Sequence, residues 1–174
     1  MSSTFYPLRL SVLLACVFLA GCWGIEKEKS VTEAAQKLVI VNVLGDSEYQ
    51  DAHIRGSINV PLDKLQQAAR SWTKNTRIVV YCANYMCSSS GEAARLLQKL
   101  GFENVFAYEG GTAEWHSKGY LLDGPAKASY LTKVGQRHTP TVADVKIINA
   151  EELKNEMERA QAAGLLITNK LMAA

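Results

Sequence analysis

The sequence has no basic stripe interleaved with aromatics: 19 Lys and Arg stand against 17 Asp and Glu, a formal charge of +2. Without such a stripe a nucleic-acid partner has no electrostatic support. With three histidines and four cysteines in all, no Cys/His set stands at metal-ligand spacing, and no metal is expected. No glycine-rich, helix-opening pattern followed by a lysine is present, which argues against a phosphate-binding loop. The apolar run from Leu10 to Ala20 falls short of the ~20 residues that a membrane-spanning helix needs. What remains is a chain of 174 residues, 48% apolar and 21% charged, long enough for one core and an appendage but too short for two full-sized domains.

The N-terminus differs from the rest. Arg9 is the only charge in the first 22 residues, and Leu19-Ala20-Gly21-Cys22 closes the apolar run, so residues 1–21 are expected to be a signal peptide. The alternative is an ordinary secretory signal cut nearby. Those four residues resemble the lipobox of bacterial lipoproteins. The resemblance implies diacylglycerol on Cys22, cleavage before it, and acylation of the new terminus with a chain such as palmitate. Trp23, where an acidic residue would signal otherwise, implies by the lipoproteins' sorting habit the outer membrane, facing the periplasm. The expected partner of the N-terminus is therefore the membrane of a bacterial cell envelope. Losing Arg9 and Cys16 leaves 18 basic residues against the 17 acidic ones, and only Cys82 and Cys87 as thiols. Outside the cytoplasm a disulfide between them is allowed, though not required.

Residues 22–29 read as a tether. Residues 32–37 read as a brief helix and Leu38 to Val43 as a strand buried on both faces. A helix begins at Ser47, a strand covers Ser57 to Val60, and Pro61 opens a helix running to Ala69 with Leu62, Leu65 and Ala69 on one face. Arg77 to Tyr81 is a third strand. Ser88 to Leu100 forms a helix with an apolar stripe of Ala93, Ala94, Leu96, Leu97 and Leu100, ended by Gly101. Asn104 to Ala107 is a fourth strand. Strands alternating with helices argue for an α/β fold with a largely parallel sheet covered on both faces. Beyond Gly124-Pro125, a strand from Val145, an N-cap at Asn149 and a helix to about Ala163 lead into Leu165 to Asn169, which echoes Leu38 to Asn42. Glu158 and Gln161 repeat Glu33 and Gln36. Residues 124–174 therefore read either as the start of a truncated second unit or as an amphipathic tail on the first.

Cys82 follows an apolar strand and precedes a helix by six residues, so the intervening backbone must curl with several N–H groups facing inward. Such a cradle stabilises a thiolate, and equally a persulfide or an oxyanion. Ser88, Ser89 and Ser90 are placed to cap the helix and surround the sulfur with hydroxyls. The bland alternative is a buried Cys acting as a small hydrophobe.

His53-Ile54-Arg55-Gly56-Ser57-Ile58-Asn59-Val60-Pro61, the loop Cys82-Ala83-Asn84-Tyr85-Met86-Cys87, and Glu109-Gly110-Gly111 followed by Trp115 and Gly119-Tyr120 together resemble the rhodanese family over residues 30–123. The resemblance implies a five-stranded parallel sheet flanked by helices, and transfer of sulfane sulfur through a persulfide on Cys82 without a cofactor. It also implies a small sulfur-containing donor, such as thiosulfate or polysulfide, and a thiol or cyanide acceptor. A six-residue loop is similar to that of the sulfurtransferases; related phosphatases have one residue more.

The departures are specific. Cys87 stands where sulfurtransferases carry an arginine, the loop lacks its usual glycine, and no cation remains in it, so thiosulfate should bind weakly. Asn42 and Leu44 replace an acidic and a basic residue on the first core strand. Cys87 is a candidate resolving thiol, able to displace sulfide from a Cys82 persulfide and leave a disulfide; otherwise it is a small residue filling the arginine's place. His53 is expected to fix local hydrogen bonds rather than act as a base, Gly110-Gly111 to supply a positive φ beside the loop, and Trp115 to lie in the core. Glu109 and Tyr85 are candidates for the pocket mouth. Two other functions stay open: a non-catalytic module docking a protein partner, and a thiol-redox protein cycling Cys82 with Cys87.

Overall fold

The structure, a computed structural model, describes residues 36–136 and 144–168. The signal peptide, Cys22, the tether and residues 32–35 of the expected first helix lie outside the described residues. No helix among the described residues is long and apolar enough to cross a membrane.

The elements follow in the order β1 (Leu38–Asn42), α1 (Asp46–Asp51), β2 (His53–Ile54), β3 (Ile58–Asn59), α2 (Leu65–Ala68), β4 (Arg77–Tyr81), α3 (Ser89–Lys99), β5 (Val105–Tyr108), α4 (Gly111–Ser117), β6 (Leu122–Asp123), β7 (Lys146–Ile147), α5 (Ala150–Ala162) and β8 (Leu166–Ile167). The main sheet runs β3-β1-β4-β5-β7, with β8 also paired to β1, and every pairing in it is parallel. Because β4 pairs with β1 from Leu38 to Asn42, β3 and β8 divide β1's other edge, at Val41 and Asn42 and at Leu38 and Val39 respectively. A small antiparallel pair, β2 with β6, stands apart from the sheet.

Strand alternation sends side chains to two faces. Val39, Val41, Ile78, Val80, Val105 and Ala107 face α3, whose Ala93, Ala94 and Leu97 are buried against them together with Leu65, Trp72 and Phe102. Leu38, Ile40, Val79, Tyr81 and Tyr108 face the other way, toward Trp115 of α4 and Leu153, Met157 and Ala160 of α5. Both faces are covered, as continuous apolar strands require.

One expectation is corrected. The helix expected from Leu62 to Ala69 is broken into a 3-10 turn at Leu62–Lys64, the single turn of α2, and a second 3-10 turn at Ala69–Ser71. No side chain caps any of the three, and only Leu65 and Ala69 of the stripe are buried, so packing anchors the segment without sustaining a regular helix. Residues 144–168 pack on the same sheet: β7 extends it beyond β5, α5 covers its second face, and β8 joins β1. The helix itself begins as the sequence indicates. Asn149 Oδ1 accepts from the Glu152 amide at 2.9 Å and Glu152 Oε2 accepts from the Asn149 amide at 3.3 Å, a capping box.

Candidate active site

The loop under suspicion leaves the C-terminal end of β4, the central strand of the five-strand path, where ligands bind in open parallel sheets. Two residues beyond Val80, Cys82 points to the α3 face and is fully buried; Cys87, at the other end of the loop, is half-buried. Both are free thiols. The loop is held internally by an Asn84 turn: its carbonyl accepts the Cys87 amide at 3.0 Å and its Oδ1 the Met86 amide at 3.0 Å. Met86 stands at the tip, 69% exposed.

Hydrogen bonds converge on the two sulfurs. The Cys82 thiol donates to the Cys87 carbonyl at 3.3 Å, and Cys82 Sγ lies 3.6 Å from Ser90 Oγ. Around the Cys87 thiol stand the Cys82 thiol, the backbone of Ala83 and Ser89, and the Ser89 hydroxyl. These groups hold the Cys87 thiol well below its ordinary range, Cys82 contributing most, while the interaction with Cys87 and then burial push Cys82 up. Within the pair, the Cys87 thiol is the one pulled down and the Cys82 thiol the one pushed up.

The expected serine cluster divides. Ser90 is buried beside Cys82 and Ser89 serves Cys87, but Ser88 is exposed and donates to Glu92 Oε1 at 2.7 Å. Ser88 occupies the N-cap position of α3 without a side-chain cap bond, because its hydroxyl finds the Glu92 carboxylate one turn on.

Behind the loop lies the start of α4. The Thr112 amide donates to Cys82 O at 3.1 Å, its hydroxyl to the same oxygen at 3.4 Å, and the Ala113 amide to Ala83 O at 2.9 Å. Gly111 has φ +59, and a Cβ there would lie 2.4 Å from Cys82 O; Gly110 has φ −62. The expected positive φ thus falls on the second glycine. Thr112 was not legible in the sequence, where nothing marks it as touching the loop.

Other singled-out residues lie elsewhere. The His53 ring stacks on Tyr49 with centroids 3.8 Å apart, and its Nδ1 pairs with Tyr49 O at 2.7 Å. Trp115 packs edge-on against Tyr108 and Tyr120. Asn42 Oδ1 accepts the Leu44 amide at 2.9 Å, while its Nδ2 is buried without a partner. Glu109 is half-buried in the turn before α4, and the Tyr85 amide donates to Val134 O at 3.2 Å. Among the described residues no group of three His, Cys, Asp or Glu is placed to hold a metal ion.

The sequence profile of the rhodanese-like domain matches residues 28–118. The chain is 33% identical to the thiosulfate sulfurtransferase GlpE of Tolumonas auensis over 49% of its own length and 84% of that protein's. It is 31% identical to an HTH-type transcriptional regulator of Mycobacterium tuberculosis over 55% of its length, but spans only 42% of the regulator. A solved rhodanese-like domain of the Alr3790 protein from Anabaena shares 33% identity, with 50% of this chain and 87% of that one covered, at a TM-score of 0.46.

Proposed function

Because the chain belongs to the rhodanese-like domain family, we propose that it is a sulfurtransferase carrying sulfane sulfur as a persulfide on Cys82. The observation that carries this reading is the pair of sulfurs in one loop, Cys82 at the strand end with its thiol donating to the Cys87 carbonyl at 3.3 Å. In this proposal the Cys87 thiolate takes the Cys82 proton as Cys82 Sγ attacks the outer sulfur of a persulfide donor R–S–S⁻. The donor's S–S bond breaks, R–S⁻ leaves, and Cys82 holds the transferred sulfur. An acceptor thiolate then attacks that sulfur, and the bonding pair returns to Cys82 Sγ. Loop amides stabilise the sulfur anion in between.

A second reading is favoured by the same contact. Cys87 Sγ attacks the inner sulfur of the persulfide, hydrosulfide leaves, and a Cys82–Cys87 disulfide remains, which makes the protein a thiol-redox couple. Intact mass after reduction and exposure to polysulfide separates the two. The persulfide reading requires a gain of one sulfur atom that Cys82→Ser abolishes and Cys87→Ser preserves; loss of two hydrogens with no sulfur gained in any variant overturns it.

The proposal places the protein in a bacterial envelope, lipid-anchored through Cys22. Support comes from Leu19-Ala20-Gly21-Cys22 after an apolar run. Labelled palmitate should enter the full chain and not Cys22→Ala; equal labelling of neither overturns the anchor.

A further inference from the structure

Asn84, midway between the chemistry-bearing ends of the loop, is buried and bonds in three directions. Its carbonyl accepts the Cys87 amide at 3.0 Å, its Oδ1 accepts the Met86 amide at 3.0 Å, and its Nδ2 donates to Lys133 O at 2.7 Å. Beside it the Tyr85 amide donates to Val134 O at 3.2 Å. Between them, Asn84 and residues 133–134 occupy the amides of Tyr85, Met86 and Cys87.

Lys133 and Val134 belong to a strap, residues 124–136, whose 3-10 turn at Ser129–Thr132 packs on α4 with Leu131 buried. The strap is pinned at its start as well. The Asp51 carboxylate accepts the Lys127 amide at 3.1 Å and the Ala128 amide at 2.8 Å, and Asp51 O accepts the Ala126 amide at 2.7 Å. A firmly held segment thus grips the loop at Asn84 and Tyr85.

The turn closed by Asn84 directs the Cys87 carbonyl at Cys82, whose thiol donates to it at 3.3 Å. That oxygen suits a thiol. A persulfide anion has no S–H to offer, so the same oxygen repels it, and a buried anion needs donors that are here spent on Asn84 and the strap. Cys82 is also 0% exposed, so a sulfur donor meets it only if the loop moves. We infer that Asn84 is a positioning residue whose turn holds Cys82 in its thiol form, and that loading sulfur on Cys82 breaks this turn, releasing the amides of Tyr85, Met86 and Cys87 to the sulfur anion.

This step rests on the persulfide reading and adds a movement to it. Its two sides are linked: if sulfur on Cys82 loosens the hold of Asn84, a looser hold favours sulfur on Cys82 by the same factor. Removing the Asn84 side chain should therefore help loading. A residue that served only the fold would, on removal, leave loading unchanged or impair it.

The test equilibrates the reduced full chain with mixtures of glutathione persulfide and glutathione and counts bound sulfur by intact mass, in the wild type, Asn84→Ala and Cys82→Ser. NMR couplings across the hydrogen bonds from the Tyr85 amide to Val134 O and from the Cys87 amide to Asn84 O report whether the turn is closed. Both couplings should be present in the reduced wild type, vanish on loading, and persist in Cys82→Ser under the same mixture. Asn84→Ala should reach half-loading at an about tenfold lower ratio of persulfide to glutathione, the net worth of one to two hydrogen bonds. Couplings that persist in the loaded wild type overturn the inference, and that measurement needs no change at Asn84. So does an Asn84→Ala chain that is folded by circular dichroism and loads no better than the wild type. If the wild type gains no sulfur at any ratio, the persulfide reading falls and takes this inference with it; a wild type that loads with its turn still closed removes this inference alone.

Discussion

The Cys82 thiol donates to the carbonyl oxygen of Cys87 at 3.3 Å, closing the loop into a ring whose two end residues are both cysteines. The cysteines are therefore one chemical unit. Cys82, the deeper thiol, is the largest single influence lowering the Cys87 thiol. A change at either residue must be read through the other.

Alkylation by iodoacetamide should label Cys87 before Cys82, since Cys87 is only partly buried and pulled down to about 5 while Cys82 is buried and pushed up. A lowered thiol is a thiolate at neutral pH, so the rate should stay flat on acidification and fall only as the pH drops through that value. Cys82→Ala removes the largest cause and should move the midpoint upward. An ordinary thiol midpoint in the wild type would contradict this arrangement.

Gly111→Ala should cost about 2–4 kcal/mol, combining left-handed backbone strain with the displacement of Cys82 O. Gly101 is the comparison: its φ is +85 but nothing lies within 4 Å of a Cβ there, so Gly101→Ala should cost only about 1–2 kcal/mol. Urea unfolding gives both numbers, and sulfur uptake should fail in the first variant alone.

Arg77 ties β4 to α5. Its Nε and Nη2 each donate to Glu156 at 2.6 Å, Nη1 donates to Asn104 Oδ1 at 3.0 Å, and its guanidinium lies 3.9 Å from the Phe106 ring centroid. Both charges are about a fifth exposed. Glu156→Gln should therefore lower stability by about 1–2 kcal/mol, and high salt should narrow the difference only slightly. Thermal unfolding in low and high salt checks both statements.

A chain ending at Asp123 should not yield a stable soluble domain. It would uncover Ile40, Val79 and Tyr81 where Leu153, Met157 and Leu166 now lie, each fully buried side chain being worth about 1.5–3 kcal/mol, and it would free two sheet edges. Recovery of a folded, monomeric 1–123 fragment by gel filtration and circular dichroism would refute this.

The sequence made the strands legible where they are apolar throughout. Leu38–Asn42 and Arg77–Tyr81 sit where the pattern put them, because a strand buried on both faces leaves an uninterrupted run. Helix α3 was legible from its stripe, and α5 from Asn149 and Glu152. Helix α4 was not, since seven residues opening on glycine show no period. The pairing of β2 with β6 joins two-residue strands far apart in sequence, and no local pattern encodes it. At the site, Cys82 and Cys87 stood out as residue types in a loop, whereas Thr112 reaches it only through tertiary packing. Nor does anything local say that α5 covers the second face of the sheet.

The first and last described strands of the sheet are neighbours, Leu38 against Leu166 and Val39 against Ile167. Such pairing closes a loop of nearly the whole domain, and contacts that distant in sequence form late. Until β8 is available, the edge of β1 beside Leu38 and Val39 stays open, so a nascent or partly threaded chain cannot finish its sheet. Folding is thereby tied to possession of the entire chain, a useful delay for any protein that must cross a membrane unfolded before its core sets.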